Sequence, residues 1–245
     1  VGSDVNPLHT DNFEEVSFGP ILYGAKKLGM HIHTRYEVSN NAGQDICDIV
    51  NNEGFDFLLV GSGISMSDSP DDIAATRYRT SFYNRYFKRF KAPESWFYPG
   101  ALLKDKTKMF IARSNCDVGV FLNRKFVKAT NTLVVISSEE DLFLLDYTRT
   151  LLKATHGSVG IVAKMSTTTP GHDQILKELW DFVSSIPQTQ LLPDKDLTPG
   201  LFNSYNFMLI GYNTWNDVSE HRKEALQKMP STLILNKNKR SSSDN

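Results

Sequence analysis

The sequence predicts an α/β fold with mostly parallel sheets, arranged as two related units, and three observations carry that reading. Short apolar runs of strand length alternate with amphipathic segments of helix length, the pattern of strands joined by crossover helices. A strand running into glycine occurs twice, as FDFLLVGSG at 55–63 and YNFMLIGYN at 205–213, and a V/L/I-rich closing strand follows each copy. The chain has 245 residues, 40% of them hydrophobic, which is enough to fill a sizeable core.

Taken in order, residues 13–28 are expected as a helix and 30–38 as a strand. Residues 42–52 place Ile46, Ile49 and Val50 on one helical face, and Gly54 suits a left-handed cap behind them. Strands are expected over 55–60, 118–122, 133–136, 159–163, 207–210 and 233–235. The segment 141–153 sets Leu144, Leu145, Thr148, Leu151 and Leu152 on one side of a helix, with Ser137 and Ser138 available as N-caps. Residues 172–186 repeat that pattern and stop at Pro187. The first unit then spans 1–128 with an insertion over 64–105, the second spans 129–236, and the polar residues 237–245 are expected to be a disordered tail.

Composition narrows the function. A net charge of −1 excludes a general nucleic-acid binder, whose footprint is a basic domain. No run approaches about 18 apolar residues, so no segment reads as a bilayer span. Cys47 and Cys116 form neither a disulfide framework nor a CxxC pair and read as small core residues. One segment breaks the charge balance: RYRTSFYNRYFKRFK, at 77–91, holds six aromatic and six basic residues and no acid. As a helix it puts Phe82, Tyr83, Tyr86, Phe87 and Phe90 on one side and spreads Arg85, Lys88, Arg89 and Lys91 around the other. Two readings stay open there, a packing helix with solvated charge or a basic face that meets an anionic membrane or a partner.

Three stretches carry a family resemblance. Residues 34–61 (TRYEVSNNAGQDICDIVNNEGFDFLLVG), 113–125 (RSNCDVGVFLNRK) and 137–152 (SSEEDLFLLDYTRTLL) resemble, in that order, the cytosolic C-terminal region of the monovalent cation:proton antiporter-2 family. Plant members read roughly SPYxTMHEDIC, APCSVGILVDR and GGxDDREAL there. Asp45-Ile46-Cys47 matches the acid-Ile-Cys core, Cys116 with Val118-Gly119-Val120 matches the Cys-x-Val-Gly element, and Glu139, Glu140 and Asp141 match the acidic helix start. The chain is most similar to the fungal branch, the endomembrane potassium/proton antiporters, although the segment 77–91 is not in that pattern.

The resemblance implies two universal-stress-protein-like units attached to a transmembrane exchanger in the same polypeptide. On that reading the chain is a cytosolic regulatory domain of an integral membrane protein of the Golgi or endosome. Its expected partners are the exchanger, a second copy in a homodimer, and an anionic membrane surface; nucleic acid is not among them. Universal-stress units normally open with strand, helix and strand, whereas the first unit here begins later.

Direct signs of chemistry are few. No Ser-His-Asp order, HExxH or P-loop is present, so neither a catalytic residue nor a cofactor is expected. His31 and His33 share a face of the candidate strand but lack an acidic or cysteine neighbour at ligand spacing, so no metal site is expected. The Glu139–Asp141 acids most simply complement a helix dipole, and a cation sensor built from those carboxylates is the lesser alternative. Doubly wound units take ligands beyond the carboxyl ends of their strands, which makes Ser137, Ser138, Gly211 and Asn213 the candidate nucleotide or small-ligand site. ATP-binding universal stress proteins carry G-x2-G-x9-G followed by Ser or Thr. Neither Gly61-Ser62-Gly63 nor Gly211-Tyr212-Asn213-Thr214 supplies it, so a strand-end turn that needs glycine is the simpler reading. The leading function is therefore regulation of an antiporter; the alternatives are a stand-alone universal-stress-like nucleotide-binding protein and a protein or lipid interaction module.

Overall fold

The computed structural model describes residues 10–35, 39–61, 105–124, 126–165, 171–193, 197–221 and 228–238. Most of the insertion expected over 64–105, including Arg85, Lys88, Arg89 and Lys91, lies outside them.

Among the described residues seven strands form one sheet. In chain order they are β1 (Phe57–Gly61), β2 (Asp117–Leu122), β3 (Asn131–Ile136), β4 (Ser158–Ala163), β5 (Thr189–Pro193), β6 (Phe207–Gly211) and β7 (Ser231–Asn236), and in space they lie β1-β2-β7-β6-β3-β4-β5. Every neighbouring pair is parallel except β2 and β7. The mostly parallel α/β class is therefore correct. Six strands match the sequence reading to within two or three residues. The seventh, β5 (TQLLP), is too short and too polar to announce itself by pattern.

The second half is wound on both faces. On one side α4 (Leu144–Thr155) and α5 (His172–Ser185) bury Leu144, Leu145, Leu152, Ile175, Leu179 and Phe182 against Val134, Ile136, Ile161 and Leu209. On the other side, α6 (Pro199–Phe202) and α7 (Tyr212–His221) bring Phe202, Trp215 and Val218 onto Leu133, Val135, Met208 and Ile210. The order β5-β4-β3-β6-β7 reverses direction between β3 and β6, and that reversal opens a crevice at the carboxyl ends of those two strands. A single 3₁₀ turn, Glu139–Asp141, precedes α4, which starts three residues later than the periodicity predicts.

The first half contributes α1 (Thr10–Lys27), α2 (Ala42–Glu53), α3 (Asp105–Arg113) and two strands. The side chain of Asn41 caps α2, and Gly54 closes it in the left-handed region at φ 69°, as expected. Its buried face is not the expected one, however, because Cys47 and Val50 are buried while Ile46 is exposed and Ile49 only half-buried. The cause is β1, which among the described residues lies at the sheet edge and leaves that flank of α2 uncovered. The strand expected over 30–38 is absent from its described part, since 30–35 are irregular. Asp105–Arg113 is instead a helix in the position α7 holds in the other copy.

The two copies of the strand-glycine motif are related in register as well as in sequence. Phe57 sits opposite Asp117 and Phe207 opposite Ser231, so β1–β2 and β6–β7 are equivalent pairs. Across the antiparallel junction Val120 faces Ile234, its own counterpart. A local two-fold axis therefore passes through that pair, as in an isologous interface. Arg124 N–H donates to Ser231 Oγ at 2.9 Å and Tyr147 Oη to Asp117 Oδ2 at 2.9 Å, both across the same junction. The start of the expected tail is held too, since Asn238 donates from its backbone N–H to Asp117 Oδ1 and from its side chain to the Ser114 carbonyl.

Candidate functional site

The crevice between β3 and β6 brings all four sequence-predicted residues together. Ser137 and Ser138 leave β3; Gly211 ends β6, and Asn213 lies in the first turn of α7. What joins them is a residue assigned only a helix-dipole role from sequence. Asp141, 2% exposed, turns its carboxylate into the crevice. Its Oδ2 accepts from Ser137 N–H at 2.8 Å, Ser137 Oγ at 3.1 Å, Ser138 N–H at 3.3 Å and Thr214 Oγ1 at 2.6 Å. Charge-assisted donors of this kind are what a buried carboxylate requires. Among the described residues no cation is paired with it.

The other carboxylate oxygen explains Gly211. A Cβ built on that glycine would stand 1.9 Å from Asp141 Oδ1, so the residue type is set by the acid beside it and not by a left-handed turn. Spacing could not have shown this, because 70 residues separate the partners in the chain. Glu140 is exposed and accepts from Asn213 Nδ2 at 2.7 Å, which closes the outer edge. Lys164, leaving β4 at the same end of the sheet, pairs with Asp217 at 3.3 Å.

Beside this network lies a cavity of about 240 Å³ lined by Glu140, Asp141, Phe143, Tyr212, Asn213 and the stretch from Leu235 to Asn238. Its walls combine two carboxylates, amides, two aromatic rings and the Lys237 side chain. A second cavity of about 440 Å³ lies between α2 and β1, lined mainly by Ile46, Ile49, Val50, Phe55, Phe57 and Leu58.

The remaining candidates do not converge. His31 and His33 are both exposed on irregular backbone, and among the described residues no group of three His, Cys, Asp or Glu side chains could hold a metal. Cys47 and Cys116 are buried and unbridged, and burial pushes both thiols above their ordinary pKa. A thiol in that state is a poor nucleophile. Tyr147 is shifted well up, first by burial and then by its bond to Asp117.

With this geometry in view, solved structures supply the comparison. A universal stress protein from Archaeoglobus fulgidus superposes with a TM-score of 0.51 at 11% identity, over 98% of this chain and 82% of that one. The fold is that of the universal stress proteins. A functionally unknown protein from Pseudomonas aeruginosa is also similar, with a TM-score of 0.49 at 10% identity over 92% of this chain and 78% of its own. No protein-family model matches the chain, and no curated protein does. In this universal-stress-like frame, the switch-point crevice of the second unit is occupied by the protein's own carboxylate.

Proposed function

We propose that this chain is the cytosolic regulatory domain of a potassium (monovalent cation)/proton antiporter, joined to its transmembrane exchanger and acting without chemistry of its own at a Golgi or endosomal membrane. The observation that carries the reading is Asp141. It fills the place where a doubly wound unit would receive an anionic ligand, and it belongs to the acidic element that resembles the antiporter family. The other residues of that resemblance also serve the fold. Cys47 packs with Phe110 and Val118, and Cys116 is buried at the head of β2. Among the described residues no helix is long and apolar enough to cross a membrane, so ion transport is assigned to another part of the polypeptide.

The test is deletion of this region from the longer antiporter. Exchange should remain possible while its rate, pH dependence or location changes. Complete insensitivity of transport and location would sink the proposal. The fold likeness itself favours the second reading, a stand-alone universal-stress-like nucleotide-binding protein. Native mass spectrometry of the purified chain separates the two, because co-purifying ATP or AMP supports the nucleotide binder.

A further inference from the structure

Among the described side chains of α1 only Ala25 is buried. Ile21, Leu22 and Tyr23 are exposed, as are Leu28, Met30 and Ile32 just beyond the helix, Leu28 to 76% and Tyr23 to 63%. Core packing therefore leaves much of these six apolar groups uncovered. Nor is the helix end frayed. Met30 N–H donates to the Ala25 carbonyl at 2.9 Å and Gly29 N–H to the Lys26 carbonyl at 3.2 Å, with Gly29 at φ 66°, the bonding of a glycine-stopped helix. The stop turns the chain sharply and holds Leu28 and Met30 at a defined corner. A Cβ on Gly29 would meet nothing within 4 Å, so the corner stands in open space.

The charge within this stretch of sequence has one sign. From Glu15 to Glu37 the sequence contains no acid between them, but it contains Lys26, Lys27, His31, His33 and Arg35. Arg35 is engaged with Glu53, which leaves Lys26 and Lys27 as the cations beside the apolar groups. Lys27 Nζ lies over the Tyr23 ring, 4.6 Å from its centroid.

We propose that residues 21–35 form a surface that docks on an anionic lipid bilayer. Lysines beside exposed Leu, Met and Ile supply the two chemistries such a surface needs, cations for headgroups and apolar groups for acyl chains, and Tyr23 is a ring type that settles at the boundary. The surface is separate from the membrane contact expected at Arg85, Lys88, Arg89 and Lys91. Such docking needs no exchanger in the same polypeptide.

The test is flotation of the whole chain with phosphatidylcholine vesicles containing about 30% phosphatidylserine, an anionic surface of the kind lysines sense, against phosphatidylcholine alone. The parent should float with the anionic vesicles only. Lys26→Gln with Lys27→Gln should lower partitioning roughly 30-fold, as should raising the salt. Leu28→Ser with Met30→Ser should also weaken it, with an unchanged melting curve confirming the fold; if that pair fails to fold, the glutamine pair decides. A parent that stays in solution, equal flotation with neutral vesicles, or a glutamine pair that floats like the parent would overturn the proposal. Loss of binding only when Arg85, Lys88, Arg89 and Lys91 become glutamine would overturn it too.

Discussion

Phe57–Gly61 and Phe207–Gly211 read FLLVG and FMLIG, yet every residue of the second is buried and none of the first is. Their neighbours account for the difference. β6 lies between β3 and β7 with helices on both faces, whereas β1 has β2 on one flank, no strand on the other among the described residues, and helices α2 and α3 on one face. On its second face, aromatic rings provide the cover: Phe57 meets Tyr147 of α4 at 5.9 Å, while Phe121 and Phe126 meet edge to face at 5.4 Å. The same strand sequence therefore specifies a strand in both places, and topology decides whether that strand becomes core.

The sharpest way to break this comparison is a matched pair of substitutions. Leu209→Ala, at 2% exposure in β6, should cost about 2–5 kcal/mol, because the cavity has no room to collapse between two packed layers. Leu59→Ala, the counterpart in β1 at 58% exposure, should stay within about 0.5 kcal/mol. Urea denaturation of both variants decides it, and equal losses would mean that β1 is as deeply packed as β6.

Next in size is the Asp141 network, which among the described residues only the second half has. Gly211→Ala should cost about 1–3 kcal/mol by driving a methyl into the carboxylate. Asp141→Ala should cost a similar amount, roughly 1–3 kcal/mol, by stranding the Ser137 and Ser138 N–H groups. Combining the two should cost less than their sum, since removing the acid also removes the clash. Strict additivity in thermal melts would contradict the contact.

How much of this was legible in the sequence follows from the range of each interaction. Local signals carried well: Gly54 as a cap, Pro187 as a stop, and the 3.6-residue period of α4 and α5 are all set by neighbours in the chain. The strand-glycine echo was visible because it is a repeat. The Asp141–Gly211 contact was not, because the spacing of either residue alone describes an ordinary helix start and an ordinary turn. The face of α2 was misread for a related reason: Ile46 has the right period for burial, but the flank it points to is left open at the sheet edge.

A smaller effect should appear at alkaline pH. Cys47, Cys116 and Tyr147 all titrate above their ordinary values in the folded chain, chiefly through burial. The folded state therefore holds these protons after the unfolded chain has released its own. Their contribution is full below the unfolded pKa and is lost as pH rises toward the folded one. The urea midpoint should fall from about pH 8.5 upward, the ordinary thiol range. A midpoint that rises or stays flat from there to pH 11 would place the three groups in solvent.

Calorimetric titration of ATP into the folded chain tests the central claim most directly, namely that the switch-point crevice is closed by Asp141. The account predicts no saturable heat up to about 1 mM ATP, where even a weak site would register. Saturation at low micromolar ATP would contradict it and place the nucleotide at the ends of β3 and β6.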